Sequence, residues 1–168
     1  MSKNFKQLLN QVNAFVFNMD GVLTNGSLIL TSDGEPLRSM NSKDIYALQQ
    51  ALVKGYKVAI IVEGKSEAAI GQLKQIGLTD IFIRIEDKKE ALKKFMDNHS
   101  LRGSTILYMG DDIPDLQIMK TIGVPTSPKD GVSEIKASSI YISEKKGGEG
   151  CVRDVIEQVL KAQGKWMV

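Results

Sequence analysis

The sequence predicts an α/β fold: a mostly parallel, Rossmann-like sheet with helices on both faces and a protruding β-hairpin, with no second domain expected. Three observations carry this. Short apolar runs rich in β-branched and aromatic residues alternate with stretches of helical spacing through most of the chain. Three of those runs stop at polar, glycine-containing segments, as strands do where an α/β sheet presents its carboxyl ends to a ligand. The 168 residues, 42% hydrophobic, suit one compact domain spanning 1–168.

In order, Phe5, Leu8, Leu9 and Val12 recur at spacings of three and four, the pattern of a short amphipathic helix. Ala14 to Phe17 reads as a first, fully buried strand. Around Ser32-Asp33-Gly34, a tight-turn sequence, residues 27–40 read as the hairpin, with Pro36 at an edge or a strand start. A cap near Asn41 to Asp44 opens a helix through Ile45, Leu48 and Leu52 that ends near Gly55. Residues 57–62 form a second buried strand, 66–76 a helix, 80–85 a third strand, and 87–96 a helix with Ala91, Leu92 and Phe95 inward. A fourth strand over 105–109 leads to a helix through about Lys120. A short strand near Val124, a polar loop and a strand over 139–142 complete the sheet. The glycine-rich stretch from about 145 leads into a last helix, ending near 163.

Charge and composition exclude some roles. Net charge is +2 with dispersed basic residues, so no nucleic-acid footprint is expected. No apolar run approaches the roughly 18 residues that span a bilayer, and the N-terminus is polar where a signal peptide is apolar; the expected location is the cytoplasm, with no membrane partner. Cys151 is the single cysteine and reads as a small buried residue; His99 reads as a surface loop residue. Trp166 reads as a tail anchor without chemistry.

The chemistry concentrates at the strand ends. In Asn18-Met-Asp-Gly21, Asn18 and Asp20 stand two apart, so an extended backbone turns both toward one pocket. Gly110-Asp-Asp-Ile-Pro-Asp115 sets three carboxylates directly after an apolar strand. Clustered acids call for a cation or a basic partner, and with Asp20 they suit a hard, oxygen-liganded ion such as Mg²⁺; Asp112 or Asp115 would equally serve as a helix cap. Lys88 either neutralises an anion in the pocket or, like Lys89, is an ordinary solvated charge. The stretch Lys145 to Arg153 combines glycines with basic side chains before a helix, an arrangement suited to covering an anion.

Taken together, these segments resemble the haloacid dehalogenase superfamily, and within it the capless subgroup of 3-deoxy-D-manno-octulosonate 8-phosphate phosphatases, from about Asn13 to Leu160. The first motif, Asp-x-Asp-Gly-Val-x-Thr-Asp-Gly, is matched by Asn18 to Gly26, motif four by Gly110 to Asp115, the Asp-Lys of motif three by Asp87-Lys88, and the glycine tail by Gly147 to Arg153. The resemblance implies a Mg²⁺-dependent phosphatase acting on a phosphorylated sugar acid. Position 18 would attack phosphorus and ligate the metal. Asp20 would protonate the leaving alcohol, later activate water, and lend its backbone carbonyl to the metal. Asp111 would be a metal ligand, Asp112 and Asp115 would support the site, and Lys88 would balance charge. Lys146 and Arg153 would contact the anion, and the hairpin would build a homotetramer.

Three departures stand out. Asn18 replaces the attacking carboxylate. Val62 stands where motif two has a hydroxyl, followed by Glu63, an extra negative charge at a phosphate-binding position. Asn25 replaces the usual Asp. An amide is a poor nucleophile and adds no charge to a metal site. Two readings follow: a sugar-phosphate phosphatase with strongly impaired catalysis, or a non-catalytic descendant that serves as an oligomeric scaffold, ligand-binding or regulatory protein.

Overall fold

A computed structural model describes residues 4–166. Six parallel strands form one sheet in the order β3-β2-β1-β4-β5-β6. They are β1 Ala14–Asn18, β2 Lys57–Val62, β3 Asp80–Ile83, β4 Ile106–Met109, β5 Val124–Ser127 and β6 Tyr141–Ile142. The helices are α1 Phe5–Leu8, α2 Ser42–Val53, α3 Glu67–Gln75, α4 Lys88–His99, α5 Leu116–Met119, α6 Ser133–Ser138 and α7 Cys151–Ala162. This is the Rossmann-like architecture that the alternating pattern implies. No helix among the described residues is long and apolar enough to cross a membrane.

Strand parity sorts the core into two layers. Phe15 and Phe17 of β1, Val58, Ile60 and Val62 of β2, and Leu107 and Met109 of β4 pack with α2, α3 and α7. Ala14 and Val16, Ala59 and Ile61, and Ile106 and Tyr108 pack on the other face against α4, α5 and α6. By the same alternation Asn18 turns toward the α4 side. Burial on both faces removes the polar-apolar alternation of a half-exposed strand, which is why these strands read as continuous apolar runs.

Several boundaries differ from expectation. The segment read as a polar loop before β6 contains α6, which buries Ile135. His99 is the last residue of α4, with its Nε2 2.8 Å from Asp80 Oδ2, and is not a loop residue. The hairpin is a ribbon held by one antiparallel bridge, in which Ile29 and Leu37 exchange N–H···O bonds of 3.2 and 2.9 Å. Pro36 supplies no N–H beside that bridge, and Leu28, Ile29, Leu30 and Leu37 are all exposed, so the ribbon has little packing to extend its pairing.

The C-terminal helix is tied to α2 by a buried acid. Asp44, in the first turn of α2, is fully buried and accepts N–H bonds from Gly150 (3.2 Å) and Arg153 (2.7 Å) at the start of α7. It satisfies donors that a helix N-terminus leaves open. Burial nevertheless pushes its carboxyl up to about 6.

Candidate active site

Strands β1 and β4 are neighbours, so their carboxyl ends bring Asn18 and the Gly110–Asp115 segment together without any long excursion of the chain. A cleft of about 200 Å³ opens there, lined by Asn18, Asp20, Gly26, Glu63, Lys88, Asp111, Asp112 and Pro114. A larger groove of about 620 Å³ lies between the ribbon and α3, with Pro36, Leu37, Met40, Ile45 and Ala69 in its wall. The smaller cleft gathers the carboxylates, the lysine and Asn18 and is the candidate site.

Asn18 ends β1 and is 7% exposed. Its Nδ2 donates to Asp111 Oδ1 and to the Asp20 carbonyl, both at 2.8 Å. Its Oδ1 consequently faces Lys88 Nζ, at 3.4 Å. This orientation gives each end of the amide a matching partner, whereas a flipped amide would set two donors against each other at Lys88. Asp111 sits over Gly21, whose φ is +86°; a side chain there would meet Asp111 Oδ2 at 1.8 Å, so the first-motif glycine provides both a left-handed turn and room for the acid. Burial pushes the Asp111 carboxyl up to about 6, against the opposing effect of the Asn18 hydrogen bond.

Asp20 is gripped by Arg38 from the ribbon: Nε reaches Oδ1 at 2.8 Å and Nη2 reaches Oδ2 at 3.0 Å, a two-pronged pair whose arginine side chain is 4% exposed. Thr24 adds a hydroxyl bond to Asp20 Oδ1 at 3.2 Å and accepts the N–H groups of Gly21 and Gly26, which fixes the turn.

Lys88 opens α4 and is buried, which settles its alternative readings against a solvated charge; Lys89, beside it, is exposed. Lys88 Nζ contacts Asp115 Oδ1 at 2.6 Å and Glu63 Oε1 at 2.9 Å. Burial disfavours its charge, but the two carboxylates outweigh that and hold its pKa above the ordinary lysine value. Asp115 is fully buried and uses both oxygens: Oδ1 also accepts the Tyr108 hydroxyl at 2.5 Å, and Oδ2 accepts the N–H groups of Asp111 (2.9 Å) and Asp112 (3.3 Å). Asp115 thus closes the turn through two backbone N–H groups and pairs with Lys88. Burial, reinforced by Asp115, raises the Tyr108 phenol well above its usual range. Asp112 lines the cleft but is exposed, with Oδ1 accepting from Ile113 N at 2.7 Å.

Three expected positions lie elsewhere in this chain. Val62 is fully buried in the core on the α2 and α3 side, because it shares strand parity with Val58 and Ile60; it does not line the cleft. Glu63, one residue on, does. Arg153 lines a separate groove beside Lys145, Glu149 and Glu157, pairs with Glu157 at 3.0 Å, and lies over the rings of Tyr46 and Trp166. Lys146 is exposed and lines no part of the cleft. Within one chain the glycine-rich loop does a structural job: Gly147 lies against the Gly21 carbonyl, where a Cβ would come to 2.0 Å, and Gly148 N donates to Val22 O at 3.0 Å. Cys151 is buried, its Sγ 3.2 Å from the same Val22 carbonyl, and burial raises its pKa beyond any reactive range.

Sequence reasoning missed Arg38, Tyr108 and the remote grip of Asp44. Tyr108 had a legible signal, being the polar-tipped residue of an otherwise apolar strand; Arg38 had none, since its partner lies across a turn and a ribbon.

A parallel six-stranded sheet whose strand ends present an acid pair position, a buried lysine and a Gly-Asp-Asp-x-x-Asp segment defines a chain of the haloacid dehalogenase superfamily. No protein-family model matches the chain. It is 27% identical to the 3-deoxy-D-manno-octulosonate 8-phosphate phosphatase of Escherichia coli K12 over 154 residues, 92% of this chain and 82% of that protein. The crystal structure of the Moraxella catarrhalis 3-deoxy-D-manno-octulosonate 8-phosphate phosphatase, in complex with magnesium ion, phosphate ion and KDO, is 32% identical, with a TM-score of 0.90 over 95% of this chain and 91% of that one. A structure from Vibrio cholerae shares the fold, with a TM-score of 0.92 at 24% identity and coverage of 97% and 91%. The chain belongs to the 3-deoxy-D-manno-octulosonate 8-phosphate phosphatase family.

Proposed function

We propose that this chain is a single-domain sugar-phosphate phosphatase of its family in which phosphoryl transfer is strongly impaired. The observation that carries this is the Asn18 amide: where a carboxylate would attack phosphorus, Nδ2 is bonded to Asp111 and to the Asp20 carbonyl. An amide lacks the charged oxygen that forms an acyl phosphate. Loss of such a nucleophile costs several orders of magnitude, more than about 5 kcal/mol of barrier at about 1.36 kcal/mol per tenfold.

The donors around Asn18 fit Mg²⁺ in kind and fall one charge short. The Asp111 carboxylate, the Asp20 carbonyl and Asn18 Oδ1 are hard oxygens, but Oδ1 now faces Lys88 and the N–H groups face the other two. Among the described residues no three His, Cys, Asp or Glu side chains converge as a metal site. When bound, Mg²⁺ supplies charge neutralisation at the transferring phosphoryl group. Asp20, paired with Arg38, would be the group that exchanges a proton with a leaving or attacking oxygen once Arg38 shares it. The substrate class, by kinship, is a phosphorylated sugar acid.

A second reading, a non-catalytic oligomeric scaffold, ligand-binding or regulatory protein, is favoured by the ribbon: Leu28, Ile29, Leu30 and Leu37 are 46%, 65%, 85% and 56% exposed on one short segment, a surface suited to a homotetramer in the cytoplasm. The deciding experiment assays the full chain with Mg²⁺ on 3-deoxy-D-manno-octulosonate 8-phosphate and on an aryl phosphate, beside Asn18→Asp/Glu63→Gln, which also removes the extra negative charge at the phosphate-binding position. Native turnover equal to that of the variant would overturn the impairment, and a monomer by light scattering would count against the oligomer.

A further inference from the structure

Among the described residues lining the cleft, Lys88 is the only cation, set against the carboxylates of Asp20, Glu63, Asp111 and Asp112. Its ammonium has three N–H donors, and three oxygens surround it: Asp115 at 2.6 Å, Glu63 at 2.9 Å and Asn18 at 3.4 Å. Asp115 lies fully buried beneath it. Asn18 is anchored by its own two donations. Glu63 alone comes from the solvent side: its side chain is 52% exposed, while that of Lys88 is 3% exposed. An incoming anion reaches Lys88 only where Glu63 now sits.

The loop that carries Glu63 is held on its C-terminal side by two residues of the ribbon. Arg38 Nη1 donates to the Lys65 carbonyl at 2.8 Å, and Glu35 Oε1 accepts the Glu67 N–H at 2.7 Å. Arg38 cannot take over the anion, because its Nε and Nη2 are committed to Asp20. Lys88 in the cleft and Arg38 beside it are thus both neutralised by carboxylates of the chain itself.

We propose that Glu63 is an internal occupant of the anion position: its carboxylate holds the place on Lys88 that a phosphate oxygen would take, so the cleft excludes inorganic phosphate and phosphomonoesters independently of the Asn18 substitution. The inference rests on reading the cleft as a phosphate site inherited from the family. The exclusion has two parts, displacement of a paired carboxylate and repulsion of a dianion by that same charge. Replacing Glu63 by its amide removes both while keeping shape. Arg38 is a positioning residue here, holding the loop that presents Glu63.

The test is calorimetric titration of inorganic phosphate into the full chain, in EDTA and in Mg²⁺, for the native protein, Glu63→Gln and Glu63→Gln/Lys88→Met. Glu63→Gln is expected to bind phosphate at least about tenfold more tightly than the native chain, and the added Lys88→Met to abolish the gain. Because Lys88→Met strips Asp115 of its partner, lysine ammonium signals followed by NMR in ¹⁵N-lysine protein provide a second readout: phosphate shifts one buried ammonium in Glu63→Gln and none in the native chain. Equal affinities of native protein and Glu63→Gln overturn the proposal, as does a gain that survives without any change at a buried ammonium. Asn18→Asp in Mg²⁺ separates the two layers of argument. Phosphate binding there that is indifferent to Glu63→Gln sinks the occupant alone; no phosphate binding by Asn18→Asp/Glu63→Gln in Mg²⁺ sinks the phosphate-site reading itself.

Discussion

The ends of β1 and β4 lie side by side and have fared differently. At β4, Asp115 serves the Lys88 ammonium, the Tyr108 hydroxyl and two backbone N–H groups, all in a fully buried position. At β1, the position that would react carries an amide of the same shape, bonded to Asp111 and the Asp20 carbonyl. Removing Asp115 would leave the buried Tyr108 phenol without its partner and strip the Lys88 ammonium of its shortest contact, whereas exchanging a carboxylate for an amide at position 18 leaves nothing unpaired. Indeed, no buried side-chain nitrogen or oxygen among the described residues lacks a partner. Residues that hold a site together are therefore harder to replace than those that only react in it.

The contrast is broken most directly at position 18. Asn18→Asp is expected to raise Mg²⁺-dependent phosphatase turnover by roughly a thousandfold or more once Glu63→Gln has also freed the anion position, and by itself to melt below the native chain in EDTA, since Asp111 loses a donor and gains a like charge. At the β4 end, Asp115→Ala should cost about 3–5 kcal/mol in urea denaturation, the range for removing one partner of a buried ion pair. A loss under about 1 kcal/mol would put it on a par with exposed pairs and erase the distinction.

Asp44 offers a control outside the cleft. Its carboxyl is raised from 3.8 to about 6, so its ionisation opposes folding. The stability it contributes is fully present below pH 3.8 and declines as pH rises through about 6. The difference corresponds to roughly 3 kcal/mol at about 1.36 kcal/mol per pH unit. Subtracting the stability of Asp44→Asn from that of the native chain across this window should show that decline, and a flat difference would remove the burial argument. The smallest effect belongs to Val62→Thr: a cost of about 1–2 kcal/mol for burying a hydroxyl and no added turnover in the Asn18→Asp background, because the side chain faces the core. A clear gain in turnover would return Val62 to the phosphate site.

Much of this was legible in the residues. The apolar runs of β1, β2 and β4 announced buried strands, and polar segments at their ends announced a common site, because parallel strands deliver their carboxyl ends to one edge. Lys88 and Asp115 both lie near that edge, though their mutual burial was not visible in the sequence. Val62 was misplaced because a strand buried on both faces lacks the alternation that would reveal which way its last residue points. Arg38 and Asp44 act across 18 and more than a hundred positions of sequence, distances over which local pattern carries no information. The ribbon was expected as a full hairpin from its Asp33-Gly34 turn, but turn chemistry alone does not supply the packing that extends strand pairing.

The fit of Gly147 against Gly21, with Gly148 and Cys151 bonded to Val22, has a consequence for how the chain matures. The loop after β1 leaves the ribosome early, yet its covering loop and the start of α7 emerge some 120 residues later. For most of translation the first-motif turn lacks the loop it packs against, and local contacts cannot supply it. The first-motif turn is thus among the earliest segments made and among the last to be completed.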